Sequence, residues 1–428
     1  MRLDLHSMTS NVRTAPFQHA ASLVQGLPSD SRMIFSTKGS DEGGRGARSG
    51  TMLLHFQDTL HPSDPPLNIS PILHHHESSG ARLTPAGDRH LLTYGDVPAE
   101  YEAAQTGCLM LDETTRGAIM VTGADSAEFL HRILANEVRG LEPGHGTAGL
   151  LLSSKGKVQF SFDLQPIEDG YLLSTPKGSA TDLMTAIDMY LFSDQVTLTE
   201  VTEDHAPVAV LGPKAGAIVQ SVFGSAAPSE MHVPSTTSLG GRPVTITAMP
   251  IAGSMGWRID GGPEAAVDLW KAFEAAGAQG AGVVVNDILR VEAGRAQFGV
   301  DIDDTVYPQE ARLEESFSLE KGCYIGQEVV AKIDTYGGLN KRLCALAIDH
   351  DNPIKSGTRI YREEGGEWRD LGVATSWAYS FVLDTGLVLA YVKRKHQELG
   401  TVFRVGDGPT TATIVDMPVR KSALPLPS

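Results

Sequence analysis

Cysteine is scarce in this sequence, with three residues in 428: Cys108, Cys323 and Cys344. So small and odd a number excludes a disulfide framework. Without a CxxC pair, neither a zinc knuckle nor a thioredoxin-type motif has support. The compartment therefore reads as reducing, and the expected location is cytoplasmic. Long apolar runs are missing as well. None approaches the roughly 18–20 residues needed to cross a bilayer. The N-terminus also lacks a basic start followed by an apolar stretch, which argues against secretion. Positive charge is short: 35 lysines and arginines face 52 aspartates and glutamates, a formal net charge of −17. An acidic surface repels phosphate backbones and anionic membranes, so no membrane partner and no stable nucleic-acid binding are expected. Lys332, Lys341 and Arg342 run against this balance as a local basic group.

What is present is ordinary globular material, 41% apolar and 20% charged, enough for more than one core. At roughly 100–200 residues per domain, the length predicts about two or three domains. Residues 1–85 stand apart. They are rich in Ser, Gly, Pro, His and Arg without a sustained period, and read as a disordered leader or a start-site extension. Within them, His74, His75 and His76 precede Glu77. Adjacent histidines in an extended chain point to alternating sides, so they do not converge on one metal ion.

Order is expected from about Gly95. Pro98 suits the first turn of a short helix that Gly107 stops. Over Ala124–Val138, Phe129, Leu130, Ile133 and Leu134 fall on one stripe behind a cap at Asp125 or Ser126. Strands follow, with hairpin turns at Lys155–Gly156 and Asp169–Gly170. Further helices and strands alternate beyond them. The pattern predicts an α+β region over 86–338, with a break near 205–240. After about Asn340, short strands at regular spacing with Gly-rich turns predict a separate small barrel or sandwich over 339–428.

The segment richest in chemistry is Leu319–Leu343. Gly322 and Gly326 flank Cys323 and permit tight turns or close approach of a ligand. A thiol in such a loop is accessible, and Lys321 two residues earlier would favour the thiolate, the form that attacks an electrophile or ligates a metal. Tyr324 adds a flat face and a hydroxyl, and Gln327 and Glu328 add complementary hydrogen-bonding groups. The competing reading is a buried Cys323 acting as a small hydrophobe. For Cys108 and Cys344, which sit in apolar runs, that reading is the preferred one. Arg290 and Glu292 read as a salt bridge, as helix surface or as ligand contacts; two residues apart, they do not share a helix face.

The octapeptide KGCYIGQE at Lys321–Glu328 resembles the signature loop of the YgfZ family, within the glycine-cleavage T-protein (aminomethyltransferase) superfamily. LRVEAGRAQFGVDI at Leu289–Ile302 is similar to that superfamily's Arg-x-Glu-x-Gly segment, and Pro308–Ala311 matches its Pro-x-Glu-Ala step. The resemblance covers about Gly95 to the C-terminus. It implies two α+β subdomains of the folate-binding fold and a C-terminal antiparallel β-barrel around a central channel. It implies tetrahydrofolate or a derivative as cofactor, with Arg290, Glu292 and Arg342 as candidate contacts. It implies work in assembly or repair of iron–sulfur clusters, with a link to tRNA thiolation, and iron–sulfur assembly proteins or client enzymes as partners. Cys323 would be the key residue, as nucleophile or as ligand of a transient iron–sulfur cluster, with Lys321 lowering its pKa. No resident metal is expected. Two departures separate the chain from true aminomethyltransferases. Gln159 and Phe160 occupy the positions of the paired aspartates, and Ser254 replaces the glutamate that grips the pterin. Neither Gln159 nor Ser254 can hold a proton as a carboxylate does. The alternatives are a tetrahydrofolate-dependent aminomethyl or methyl transferase and a non-catalytic scaffold.

Overall fold

The structure, a computed structural model, describes residues 33–36, 49–52, 69–84, 89–142 and 144–426. The chain divides into two compact units. In the unit ending at Leu54, Met33–Ser36 pairs antiparallel with Ser49–Met52. Most of the leader expected over 1–85 lies outside the described residues.

The leader does not, however, extend to residue 85. Leu73–Ser78 is a helix. His76 on it is fully buried against Trp270, with ring centroids 4.7 Å apart. Its ring nitrogens bond the Tyr94 hydroxyl at 2.8 Å and the Asp112 carboxylate at 3.0 Å. His75 instead reaches Glu274 at 3.1 Å. The histidines thus ride on a helix rather than on extended chain, and the two take different partners. Ser, Gly and His enrichment hid this because a one-and-a-half-turn helix leaves too short a period to read.

The described residues of the larger unit, His55–Ser428, form a five-stranded sheet, a six-stranded sheet, a barrel and the short pair Arg82–Leu83 with Leu91–Thr93. A five-stranded antiparallel sheet runs in the order Thr197–Glu200, Gly117–Thr122, Gly170–Thr175, Val158–Ile167, Thr147–Leu152. Both expected hairpin turns lie within it. A six-stranded sheet runs Pro234–Leu239, Arg242–Ile251, Ser254–Asp260, Val208–Leu211, Leu109–Asp112, Gln279–Ala281. Its central strands are apolar on both sides: all four residues of Val208–Leu211 are buried. Continuous apolar strands of this kind need cover on both faces. The last pairing, Gln279–Ala281 on Leu109–Asp112, is parallel. The helix Val97–Thr106 starts as expected, with Asp96 capping Ala99 and proline in the first turn. The helix predicted from Ala124 spans Ser126–Ile133, and Asp125 accepts from the Gln195 amide (2.7 Å) rather than capping it.

Lys341–Ile348, Thr385–Lys393, Glu367–Ser380, Arg359–Glu364, Val402–Val405 and Thr411–Val415 close into a six-stranded antiparallel barrel. It is an α+β fold with a C-terminal barrel, as the pattern and the resemblance implied. One apolar cluster joins the three parts, holding Leu109 and Ala209, Leu150 and Val158, Leu289, Leu343 and Leu389 together. Each such leucine contributes about 1.5–3 kcal/mol by leaving water. That shared core fixes the loop between sheet and barrel that carries Cys323.

Candidate functional site

The loop is tied down before it reaches the cysteine. The Ser318 amide donates to Ala135 O at 2.9 Å, and Ser318 Oγ accepts from the amides of Glu320 and Lys321. Lys321 is then buried, with 7% of its surface exposed. Its Nζ donates to His131 O, to Leu134 O at 2.7 Å and to Asn136 O at 2.9 Å. These carbonyls lie at and just beyond the C-terminal end of the helix Ser126–Ile133, where unpaired carbonyls and the helix dipole both favour a cation. Burial pulls the Lys321 ammonium down to about 8, against the pull of Glu137.

This overturns the role expected for Lys321. An ammonium has three N–H donors, and all three are committed to carbonyls. Lys321 anchors the loop; it does not activate the thiol. Tyr324 is also buried, its ring 5.2 Å from Lys321 Nζ, and its hydroxyl has no partner among the described residues. Between these two buried anchors the chain turns outward. Gly322 and Cys323 are exposed, whereas Cys108 and Cys344 are buried. Burial pushes the Cys108 thiol up to about 12 and raises that of Cys344. Of the three sulfur atoms, one is available for chemistry.

The two glycines differ in what they do. Gly326 has φ +80°, and a Cβ there would lie 2.5 Å from Ser153 O and 2.9 Å from the Cα of Gly156. Two turns meet back to back at this point, which only glycine allows. Gly322 has no such neighbour and no positive φ, so the fold itself does not require glycine there. Gly326 caps a helix, Gln327–Tyr336. Gln327 Nε2 folds back to Lys321 O at 3.3 Å, and exposed Glu328 pairs with Lys332 one turn on, at 2.6 Å. The second half of the octapeptide is therefore a helix start rather than loop.

The residues expected to hold a cofactor are already engaged. Arg290 is buried, donating to Asp287 at 2.6 Å, Asp301 at 2.8 Å and Ser376 Oγ at 3.0 Å. Ser376 follows a register shift in its strand that turns it toward Asp301. Glu292 is fully buried and accepts from Tyr101 Oη at 2.6 Å, Ser380 Oγ at 2.7 Å and the Val382 amide. Both residues clasp the helix Val283–Glu292 to the barrel, through separate partners on Glu367–Ser380 rather than by pairing with each other. Arg342 donates to Glu314 at 2.6 Å, and Lys341 lies over the Tyr391 ring. The basic group of Lys332, Lys341 and Arg342 is thus dispersed into separate pairings.

Ser254 is buried and accepts from Arg420 Nη1 at 2.8 Å. Arg420, 2% exposed, also reaches Ala252 O and Leu289 O. Gln159 and Phe160 are half-buried, and Phe160 lies near Phe298. Asp163, the nearest carboxylate, is held by Arg258 at 2.6 Å and Arg116 at 3.0 Å. Burial opposes its ionisation, yet the two guanidinium groups keep its carboxyl below the usual range. The cluster continues from Arg116 through Ser174 Oγ to His205 and Asp260. Sequence reasoning passed over Arg116, Arg258 and Arg420. For the first two a signal existed: a charge beside or inside an apolar strand has to find a buried partner.

Residues 74–321 match the family model described as GCVT N-terminal domain. Residues 341–421 match the one described as Glycine cleavage T-protein C-terminal barrel domain. The chain is 28% identical over 356 residues to an aminomethyltransferase of Rubrobacter xylanophilus, covering 82% of this chain and 94% of that one. It is 26% identical over 312 residues to a chloroplastic candidate transferase of Arabidopsis thaliana, covering 72% and 70%. Among solved structures, aminomethyltransferase T of the glycine cleavage system from Bartonella henselae superposes with a TM-score of 0.74. Its identity is 22% and its coverage 82% of this chain and 98% of that one, a likeness of fold.

Proposed function

Because this chain belongs to the glycine-cleavage T-protein family, matched over more than half its length, we propose that it works on the folate-binding fold of that family as a YgfZ-type factor for iron–sulfur cluster assembly or repair. The observation that carries this reading is the exposure of Cys323 between two buried anchors, Lys321 and Tyr324. A rigid loop that presents one sulfur and hides the other two suits a residue that must be reached by a bulky electrophile or cluster. Cys323 acts as nucleophile or ligand, and its access rather than a neighbouring cation makes it reactive. The partners are iron–sulfur assembly proteins or client enzymes in the cytoplasm, and a tetrahydrofolate derivative is the cofactor.

Deletion of the gene is expected to lower the activity of iron–sulfur enzymes under oxidative stress, and a Cys323→Ser variant is expected not to restore it. Full restoration by that variant would remove the thiol from the mechanism.

A second reading is a tetrahydrofolate-dependent transferase, favoured by the aminomethyltransferases among its relatives. Against it stand Gln159, the paired Ser254 and an Asp163 already neutralised by two arginines. Formation of methylenetetrahydrofolate and ammonia from tetrahydrofolate and an aminomethyl donor by the purified protein, retained in Cys323→Ser, would select this reading instead.

A further inference from the structure

Glu142 and His145 sit at the two ends of one tight turn, the His145 amide donating to Glu142 O at 3.0 Å. Glu230 lies 85 residues beyond His145, in the segment that leads into the strand Pro234–Leu239. Backbone stitches the two segments together. The Gly146 amide donates to His232 O at 2.7 Å, and the His232 amide to Ala248 O at 2.7 Å. Only glycine serves at 146, since a Cβ there would lie 2.3 Å from Leu164 O and 3.1 Å from His232 O. The turn runs straight into Thr147–Leu152 of the five-stranded sheet, whereas Glu230 precedes a strand of the six-stranded one.

Both carboxylates converge on one ring nitrogen. His145 Nε2 lies 2.9 Å from Glu230 Oε1 and 4.0 Å from Glu142 Oε2. That nitrogen carries at most one proton, so it can donate to one carboxylate and not to both. Among the described residues, no lysine or arginine pairs with either glutamate. Even a protonated His145 would leave the group with excess negative charge. The three donor atoms lie within 4.8 Å of one another. Around a tetrahedral ion with bonds of about 2.0–2.2 Å, donors stand about 3.4 Å apart. The observed 2.9 and 4.0 Å bracket that spacing. The side chains of Glu142 and Glu230 are 83% and 65% exposed, so both can close on an ion while the backbone stays put. One imidazole with two carboxylates suits zinc or a similar divalent transition ion, whereas magnesium and calcium take oxygen ligands.

We propose that Glu142, His145 and Glu230 bind a divalent transition metal ion, which clips the five-stranded sheet to the six-stranded one. The site lies outside the thiol reading and does not depend on it. Adjacent histidines such as His74–His76 stand out in a sequence; this set does not, because its third member is so far along the chain.

The test is isothermal titration of the full chain with zinc chloride in a Cys323→Ser background, which removes the exposed thiol as a competing ligand. One equivalent is expected to bind, and excess magnesium is expected not to compete. His145→Ala and Glu230→Gln, each made in that background, should weaken the event at least about tenfold, the scale on which even outer-shell changes act. Saturating zinc should raise the thermal midpoint of the parent by about 2 °C or more and leave that of His145→Ala unmoved. Glu230→Gln, at an exposed position, keeps the test decisive should His145→Ala disturb the turn. No zinc event, or one that either folded variant leaves unchanged, overturns the proposal; the latter result would assign the zinc to histidines elsewhere. Because the thiol is absent throughout, failure here leaves the reading of Cys323 standing, and failure of that reading leaves this site standing.

Discussion

Cys323 and Lys321 stand two residues apart in opposite surroundings, and the contrast defines the loop. The lysine is consumed by backbone carbonyls, so the cysteine projects from a fixed base. Titration of the native protein with an aromatic disulfide should therefore release about one equivalent of thiolate quickly. The other two should appear only on unfolding, and three fast equivalents would contradict the burial of Cys108 and Cys344. A second residue gives a pH signature. Glu100 is buried, accepts from Thr93 Oγ1 at 2.6 Å and the Tyr94 amide at 2.7 Å, and is pushed up to about 7 by burial. Its folded pKa lies above the unfolded one, so the native state holds the extra proton. The stability this lends is complete below about pH 4.3 and is lost as pH rises through about 7. Glu100→Gln should gain on wild type across that window by roughly 1–3 kcal/mol and level off above it. Chemical denaturation at pH 4.5, 6 and 8 checks the sign. The accessible cysteine was legible from its glycine-flanked setting. The commitment of Lys321 was not, because its carbonyl partners lie more than 180 residues earlier in the chain.

At the scale of elements, the contact between the Gly156 turn and the Gly326 turn sets the loop's position. Gly326→Ala should cost about 2 kcal/mol or more, from a left-handed φ and a clash with backbone together. Gly322→Ala should stay within about 0.5 kcal/mol. Thermal midpoints of the two variants decide this, and equal midpoints would sink the back-to-back arrangement. The hairpins and the barrel strands were readable because period-2 patterns and turn residues are local signals. The helix start at Gln327 was not read, since its cap is a glycine whose reason for being there is a turn far away. Arg290 and Glu292, at the end of the helix Val283–Glu292, stayed open between salt bridge, helix surface and ligand contact, since sequence spacing does not show the barrel groups that bind them.

For the whole molecule, Arg420 joins parts that lie far apart in the chain. It links the hairpin Arg242–Ile251/Ser254–Asp260 and the helix Val283–Glu292 from beyond the last barrel strand. It lies 3.9 Å from the buried Glu292 carboxylate. Arg420→Ala leaves that charge and several carbonyls short of a partner, at a cost of about 3 kcal/mol. The same change should shift sheet and barrel unfolding together in a denaturant titration. Separate transitions with only the barrel affected would show that the clasp does not couple them. Nothing in the sequence pattern marks Arg420, because a basic pair with Lys421 after the final strand looks like any solvated tail.

That clasp also orders events at the ribosome. Domains fold as units during synthesis, the N-terminal ones first, yet here an early hairpin waits for a guanidinium encoded some 160 residues later, so nascent chains halted before codon 420 emerge with a conspicuous gap. Such fragments offer proteases an easy mark, whereas finished copies close the gap themselves.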